Sequence, residues 1–247
     1  LTNLLILTCR RSRDTDPWRY VRATLEGADR DPILQPKRGH PAPVLKGIVC
    51  DGPYDGPRPP GWDVYEYTRP PGTLRTKNKL PYWYLLQIGA DLGGDLIALE
   101  DDLKFSKHAI SRMASLIVPA DLAWLQFFSP RVLRSWDMFP GIWRPPLSSS
   151  TFLQAVKFPH RTLLQLLAWQ REPEFSMYGE SDNALAVAAA KLRLDYGVHC
   201  PDIVQHVGEV SEAQEGTDQL FEWRTSACWG GEDFDVMRLH ERNELYR

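Results

Sequence analysis

The chain has 247 residues, 43% of them hydrophobic, enough for one sizeable core or two small ones. Its formal net charge of -3 excludes a broad basic field that would hold nucleic acid by counterion release; the local patches Arg10–Arg13 and Arg69–Lys79 leave a nucleic-acid acceptor as a minor alternative. No run of about 18 apolar residues occurs, so no transmembrane segment is expected.

The four cysteines, Cys9, Cys50, Cys200 and Cys228, form no CxxC pair and read as ordinary thiols rather than a disulfide framework or zinc site. We expect a soluble, cytoplasmic chain. Because a strand-like run begins almost at Leu1, a trimmed targeting or anchoring segment is the alternative.

In chain order, residues 4–9 (LLILTC) read as a buried strand. Pro17 opens an amphipathic helix from Trp18 to Leu25, ending near Gly27. Residues 44–50 (VLKGIVC) form a second strand, and the turn-rich DGPYDGPRPPG of 51–61 no regular element. Residues 62–68 (WDVYEYT) alternate as a strand. Residues 76–92 give a helix stopped by Gly93-Gly94.

The continuous apolar run Leu96-Ile97-Ala98-Leu99 suits a central strand. A helix over 106–117 follows, with Ser106 as N-cap, then a strand over 124–128 (WLQFF). Residues 137–150, rich in Pro, Trp and Ser, read as loops. Helices are expected from Pro159 to Gln170 and from about Asp182 to Tyr196, the second carrying ALAVAAAKL. The last thirty residues show little periodicity. Alternating strands and helices predict an α/β fold, a mixed, mostly parallel central sheet with helices on both faces.

Glu100, Asp101 and Asp102 follow the central strand, at the edge where open α/β sheets bind ligands. Three adjacent carboxylates repel one another and raise each other's pKa, a cost that a divalent cation relieves. Mg²⁺ and Mn²⁺ prefer oxygen ligands, and Mg²⁺ takes only one or two protein carboxylates beside substrate phosphates. On an extended chain Glu100 and Asp102 share one side and Asp101 opposes them. The bland reading is a solvated acidic turn.

The Glu-Asp-Asp trio resembles the metal motif of GT-A glycosyltransferases, in the form found in some inverting N-acetylglucosaminyltransferases. The segment CPDIVQHVG, 200–208, resembles the late Pro-x-x-x-Gln-His-x-Gly segment of metal-dependent members, notably the N-acetylglucosaminyltransferase IV type. The resemblance implies a GT-A, Rossmann-like sandwich binding Mn²⁺ or Mg²⁺ and a nucleotide sugar, with UDP the expected nucleotide. It places Asp102 and His206 on the metal, Asp101 near the ribose or donor sugar, and Glu100 in support. Gly208 would let the backbone pass close to phosphate.

In MYGESDNAL, 177–185, Ser181 caps the following helix and Asp182 lies in its first turn. This resembles the catalytic base of inverting members; Asp182 is the first choice and Glu180 the second. The resemblance also places Thr8, Arg10, Arg11 and Arg13 near the nucleotide, Asp51 at the base and Lys79 as a further nucleotide contact. Trp143, Pro145 and Pro146 fall where an acceptor would bind. Element order matches over residues 1–210, with a nucleotide-binding part of about 1–105, an acceptor part of about 106–210, and an extension over 211–247.

The expected activity is therefore glycosyl transfer to a carbohydrate or other hydroxyl-bearing acceptor. One rival is a metal-dependent nucleotidyltransferase, but the glycine-rich phosphate loop it usually needs is missing between Thr8 and Asp16. The other is a catalytically weak carbohydrate-binding protein of the same fold, which nine tryptophans would suit.

Overall fold

In the computed structural model the described residues are 1–11, 14–35, 44–70, 79–129, 141–145, 153–177, 180–207, 229 and 231–238, with Lys79 described in its backbone alone. The expectations for Arg13, Pro146, Gly208, Cys228 and the Lys79 side chain lie outside them, as does most of the C-terminal extension.

The first half follows its apolar runs closely. Strand β1 (Thr2–Cys9) is followed by α1 (Arg19–Asp29), β2 (Val44–Asp51), β3 (Trp62–Tyr67), α2 (Lys79–Leu92) and β4 (Asp95–Glu100). Helix α1 passes through Gly27 and continues to Asp29. The turn between α2 and β4 requires its glycines. Gly94 has φ +83°, and a Cβ there would lie 2.4 Å from the Leu1 carbonyl oxygen.

The second half departs from expectation in several places. A three-residue strand, β5 (Leu103–Phe105), directly follows the acidic turn. Helix α3 (Ala109–Ser115) is shorter than expected, and its N-cap is His108 in a left-handed conformation (φ 62°) rather than Ser106. Strand β6 spans Leu122–Gln126, and β7 (Gly141–Trp143) occupies part of the segment read as loop. Strand β8 (Ala155–Phe158) precedes α4 (His160–Trp169).

Helix α5 (Ser181–Lys191) begins one residue after Glu180, its N-cap, so Ser181 is the first helical residue and not the cap. It ends well before Tyr196. Arg193 takes φ 54°, Leu194 N–H donates to Ala189 O (3.0 Å), and Arg193 N–H donates to Ala190 O (3.1 Å). This is a Schellman end built without glycine. The chain then enters β9 (Asp195–Cys200), which contains Tyr196, and later β10 (Val204–His206).

The strands form an eight-stranded sheet in the order β3-β2-β1-β4-β8-β6-β9-β7, with a separate β10-β5 pair. Strands β3, β2, β1 and β4 run parallel, as do β6 and β9, while β8 and β7 pair antiparallel. The architecture is a Rossmann-like α/β sandwich with a mixed sheet and helices on both faces. Alternation along each strand feeds two cores. Leu4, Ile6, Ile97 and Leu99 meet α1 and α3, whereas Leu5, Leu96 and Ala98 meet α2, α4 and α5.

Lys157 sits within buried β8 at 2% exposure. Its ammonium donates to Ala114 O (2.9 Å) and Leu116 O (2.7 Å), the carbonyls at the end of α3. At the far end of the chain, Val236 is fully buried in the α1/α3 core, and Asp235 accepts from the His108 ring. No helix among the described residues is long and apolar enough to cross a membrane.

Candidate metal centre

Strands β1, β2 and β4 end side by side. Leu7 is level with Glu100, and Cys9 with Asp51. The acidic turn at this edge is pinned from both sides. Thr24 of α1, fully buried, donates through its hydroxyl to Asp101 O (2.7 Å) and accepts from Leu103 N–H (2.9 Å). Strand β10 pairs with β5 so that His206 faces Leu103, and Val207 N–H donates to Asp102 O (2.8 Å). The short β5–β10 pair is thus what carries His206 back to the turn.

Glu100, Asp102 and His206 each present one ligand atom within 4.8 Å of the others. His206 Nε2 is 3.0 Å from Asp102 Oδ2. Asp101, in the bend that follows β4, is tied instead to β1 and the segment after it. Its Oδ2 accepts from the Thr8 hydroxyl (2.6 Å) and its Oδ1 from Arg11 Nη2 (2.6 Å). Arg11 Nη2 also reaches Asp102 Oδ2 at 3.1 Å.

Burial sets the charges. It pushes Glu100 well above the ordinary carboxylate range, and the nearby Asp102 charge adds to the effect. Burial also raises Asp101 against the pull of Arg11. At Asp102 burial acts in the same upward sense, but the His206 ring and the Arg11 guanidinium outweigh it and hold the carboxyl below its usual value.

Two oxygen donors and an imidazole suit a divalent cation such as Mg²⁺ or Mn²⁺. A second observation supports the fit. Asp102 Oδ1 is buried and accepts no hydrogen bond. A carboxylate oxygen shut away from water without a donor is costly, and a cation would satisfy it. The buried acidic and histidine cluster is therefore capable of coordinating a divalent metal.

The remaining expected residues are not part of this ligand cluster. Arg10 is exposed. Asp51 ends β2, with both its oxygens gripped by Arg69 Nε at 2.7 and 2.9 Å, so its carboxylate is already occupied by a guanidinium. Asp182 and Glu180 stand apart from the cluster at the start of α5. Asp182 is half-buried and accepts from Asn183 N–H (3.0 Å); Glu180 is exposed and accepts from Asn183 Nδ2 (3.1 Å). Burial pushes Asp182 up to about 6, partly opposed by the Asn183 backbone bond and aided by the Glu180 charge. Trp143 packs against the α2/α4/α5 core from β7, and Pro145 is buried.

Three further residues shape the site and carry no sequence signal. Tyr20 of α1 lies under the Arg11 guanidinium, 4.5 Å from Cζ to the ring centroid. Phe128, after β6, flanks the His206 ring at 6.1 Å. Tyr82 of α2 is 1% exposed, and its hydroxyl is buried without a hydrogen bond. Burial raises its pKa strongly, and the charges of Glu100 and Asp182 add to that. Tyr82 thus stands within electrostatic reach of both acidic groups.

No protein-family profile matches the chain, and no curated protein matches it in sequence. Among solved structures it is similar to a glycosyltransferase involved in glycosylation of the major capsid of PBCV-1, at TM-score 0.45 and 12% identity, over 84% of this chain and 94% of that one. It is also similar to a mutant Drosophila beta-1,4-galactosyltransferase 7 in complex with manganese, UDP-Gal and xylobiose. That match has TM-score 0.45 and 9% identity, over 100% of this chain and 82% of the other.

Proposed function

We propose that the chain is a metal-dependent, inverting glycosyltransferase of the GT-A type. It would move a sugar from a nucleotide sugar, with UDP the expected nucleotide, to an acceptor hydroxyl. The observation that carries this reading is the convergence of Glu100, Asp102 and His206 at the carboxyl end of β4, with Asp102 Oδ1 buried and unsatisfied. The ligand edge of an open α/β sheet is where a nucleotide diphosphate would arrive. The narrower likeness to the N-acetylglucosaminyltransferase IV type rests on the Glu-Asp-Asp trio and the Gln205-His206-x-Gly208 segment.

In this reading Asp102, His206 and Glu100 would hold Mn²⁺ or Mg²⁺, which would offset negative charge on the leaving diphosphate. Thr8 and Arg11 fix Asp101, which braces the turn from the nucleotide side. Arg10 and Lys79 are further nucleotide contacts. Asp51 contributes at the base as a unit with Arg69. Asp182 accepts the proton of the acceptor hydroxyl. A carboxyl pushed up to about 6 is a stronger base than an ordinary one and is still ionised at neutral pH. Glu180 is the second choice. The nucleotide-binding part would span about 1–105 and the acceptor part about 106–210, with 211–247 as an extension.

The test is a donor hydrolysis screen. The folded protein is incubated with UDP-, GDP- and CMP-sugars and Mn²⁺, and released nucleotide is measured with and without EDTA. Chelator-sensitive release from one nucleotide class is expected. No release with any donor would sink the reading, and sugar binding without nucleotide binding would favour a carbohydrate-binding protein.

A further inference from the structure

The acidic turn is not a bare anionic pocket, because a cation of the chain itself already reaches into it. Arg11 lies two residues beyond β1 and is 7% exposed. One of its nitrogens, Nη2, stands 2.6 Å from Asp101 Oδ1 and 3.1 Å from Asp102 Oδ2. The Tyr20 ring covers the guanidinium at 4.5 Å. Stacking and two carboxylates fix the group in place, so it is a permanent part of the corner rather than a mobile surface arm.

This placement has opposite consequences for a metal and for a diphosphate. A divalent ion arriving alone at Asp102 meets a carboxylate whose charge is partly matched by Arg11. It also meets the repulsion of that guanidinium at short range, where burial leaves little screening. A diphosphate arriving alone meets the carboxylates of Asp101 and Asp102, with one guanidinium against them. With both present, the diphosphate would supply negative charge to the ion and to the arginine, and each unfavourable pairing would be offset.

We infer that Arg11 couples the metal to the nucleotide diphosphate, so that each binds weakly alone and the two bind tightly together. This rests on the nucleotide-sugar reading above. Such a coupling is reciprocal: the factor by which UDP tightens the metal is the factor by which the metal tightens UDP. Arg11 is thereby a positioning and coupling group rather than a simple nucleotide contact.

The test is calorimetric titration of MnCl₂ into the folded protein with and without saturating UDP, for wild type, Arg11→Gln and Arg11→Lys. In wild type, UDP should tighten Mn²⁺ by about tenfold or more. In Arg11→Gln, Mn²⁺ alone should bind several-fold tighter than in wild type, and UDP should improve it by no more than about twofold. Arg11→Lys keeps the charge without the planar fork and should retain weak metal binding and part of the coupling. A thermal-shift series covers reduced stability of the glutamine variant: Mn²⁺ alone should raise its Tm more than that of wild type.

Equal weakening of metal and metal–UDP binding in Arg11→Gln would make Arg11 a scaffold only and overturn the inference. So would wild type binding Mn²⁺ and UDP independently. If wild type takes up neither Mn²⁺ nor UDP, the transferase reading itself falls, and the coupling falls with it.

Discussion

The two acidic regions of the molecule are built in opposite ways. The corner at Glu100, Asp102 and His206 draws on β4, the turn after it and a strand near the far end of the described chain. Backbone and side-chain bonds from Val207, Thr24, Thr8 and Arg11 lock it. The acidic start of α5 is local: the hydrogen bonds to Asp182 and Glu180 come from Asn183. The first region uses its charges as architecture as well as chemistry. The second carries a carboxyl that the fold does not need, so substitutions should separate the two regions cleanly.

The largest effect is expected at Asp102. Asp102→Asn removes the charge that His206 and Arg11 share, and it should weaken Mn²⁺ binding at least a hundredfold and abolish donor hydrolysis. Breaking a buried ion pair from one side should also destabilise the fold by about 3 kcal/mol. Calorimetry and urea unfolding check the two parts. Metal binding retained at wild-type strength would remove Asp102 from the ligand set. The same carboxyl predicts an acid limit. Its folded pKa is lowered, so its contribution to stability is complete above the unfolded value near 4 and is lost as pH falls through the depressed one.

Asp182→Asn should instead lower kcat by about 10²–10⁴ while Mn²⁺ and UDP binding stay unchanged. A variant with near wild-type turnover would transfer the base role to Glu180. The pH dependence adds a smaller and sharper test. Because burial pushes Asp182 up to about 6, kcat/KM should fall as pH drops through that value. Its effect on stability has the opposite sign to that of Asp102. A raised folded pKa means the native state binds the extra proton, so stability declines as pH rises from about 4 through about 6. Asp182→Asn should therefore be as stable as wild type or more so at pH 7, by at most about 3 kcal/mol, and the gain should vanish by about pH 4.

The contrast between the regions also explains what the sequence could tell. Strands β1 and β4 are built on continuous apolar runs, and Gly93-Gly94 marks the end of α2 without help from tertiary structure. Strand β8 was hidden because its lysine is satisfied by the Ala114 and Leu116 carbonyls and by Asp95, partners that no local pattern reveals. The end of α5 was hidden because Arg193 takes a left-handed conformation where glycine is the usual signal, so the alanine-rich helix seemed to run into β9. Strands β5, β7 and β10, at three residues each, are too short for a period of two to show.

At the site, the acidic trio and His206 were legible through a motif, but the contact of one Arg11 nitrogen with both Asp101 and Asp102 was not. The grip of Arg69 on Asp51, the stacking of Tyr20 on Arg11 and the placement of Tyr82 were not legible. Each joins segments that only the folded sheet brings together.

Tyr82 offers the smallest effect and the finest probe, because it is the group on which both acidic regions act. Its hydroxyl is buried without a partner, so Tyr82→Phe removes a desolvated polar atom at almost constant shape. Such a change should leave stability unaltered or raise it by about 1 kcal/mol. Metal binding should change by no more than about twofold, since the Tyr82 hydroxyl is hydrogen-bonded to none of Glu100, Asp102 and His206. If the phenol lends its dipole to Asp182 during the reaction, the acid limb of kcat/KM should move upward by less than about one pH unit, with a several-fold loss of kcat. A limb that stays near 6 would show that the two regions act independently. A loss of stability above about 2 kcal/mol would show instead that the hydroxyl has a hydrogen-bonded partner such as a buried water.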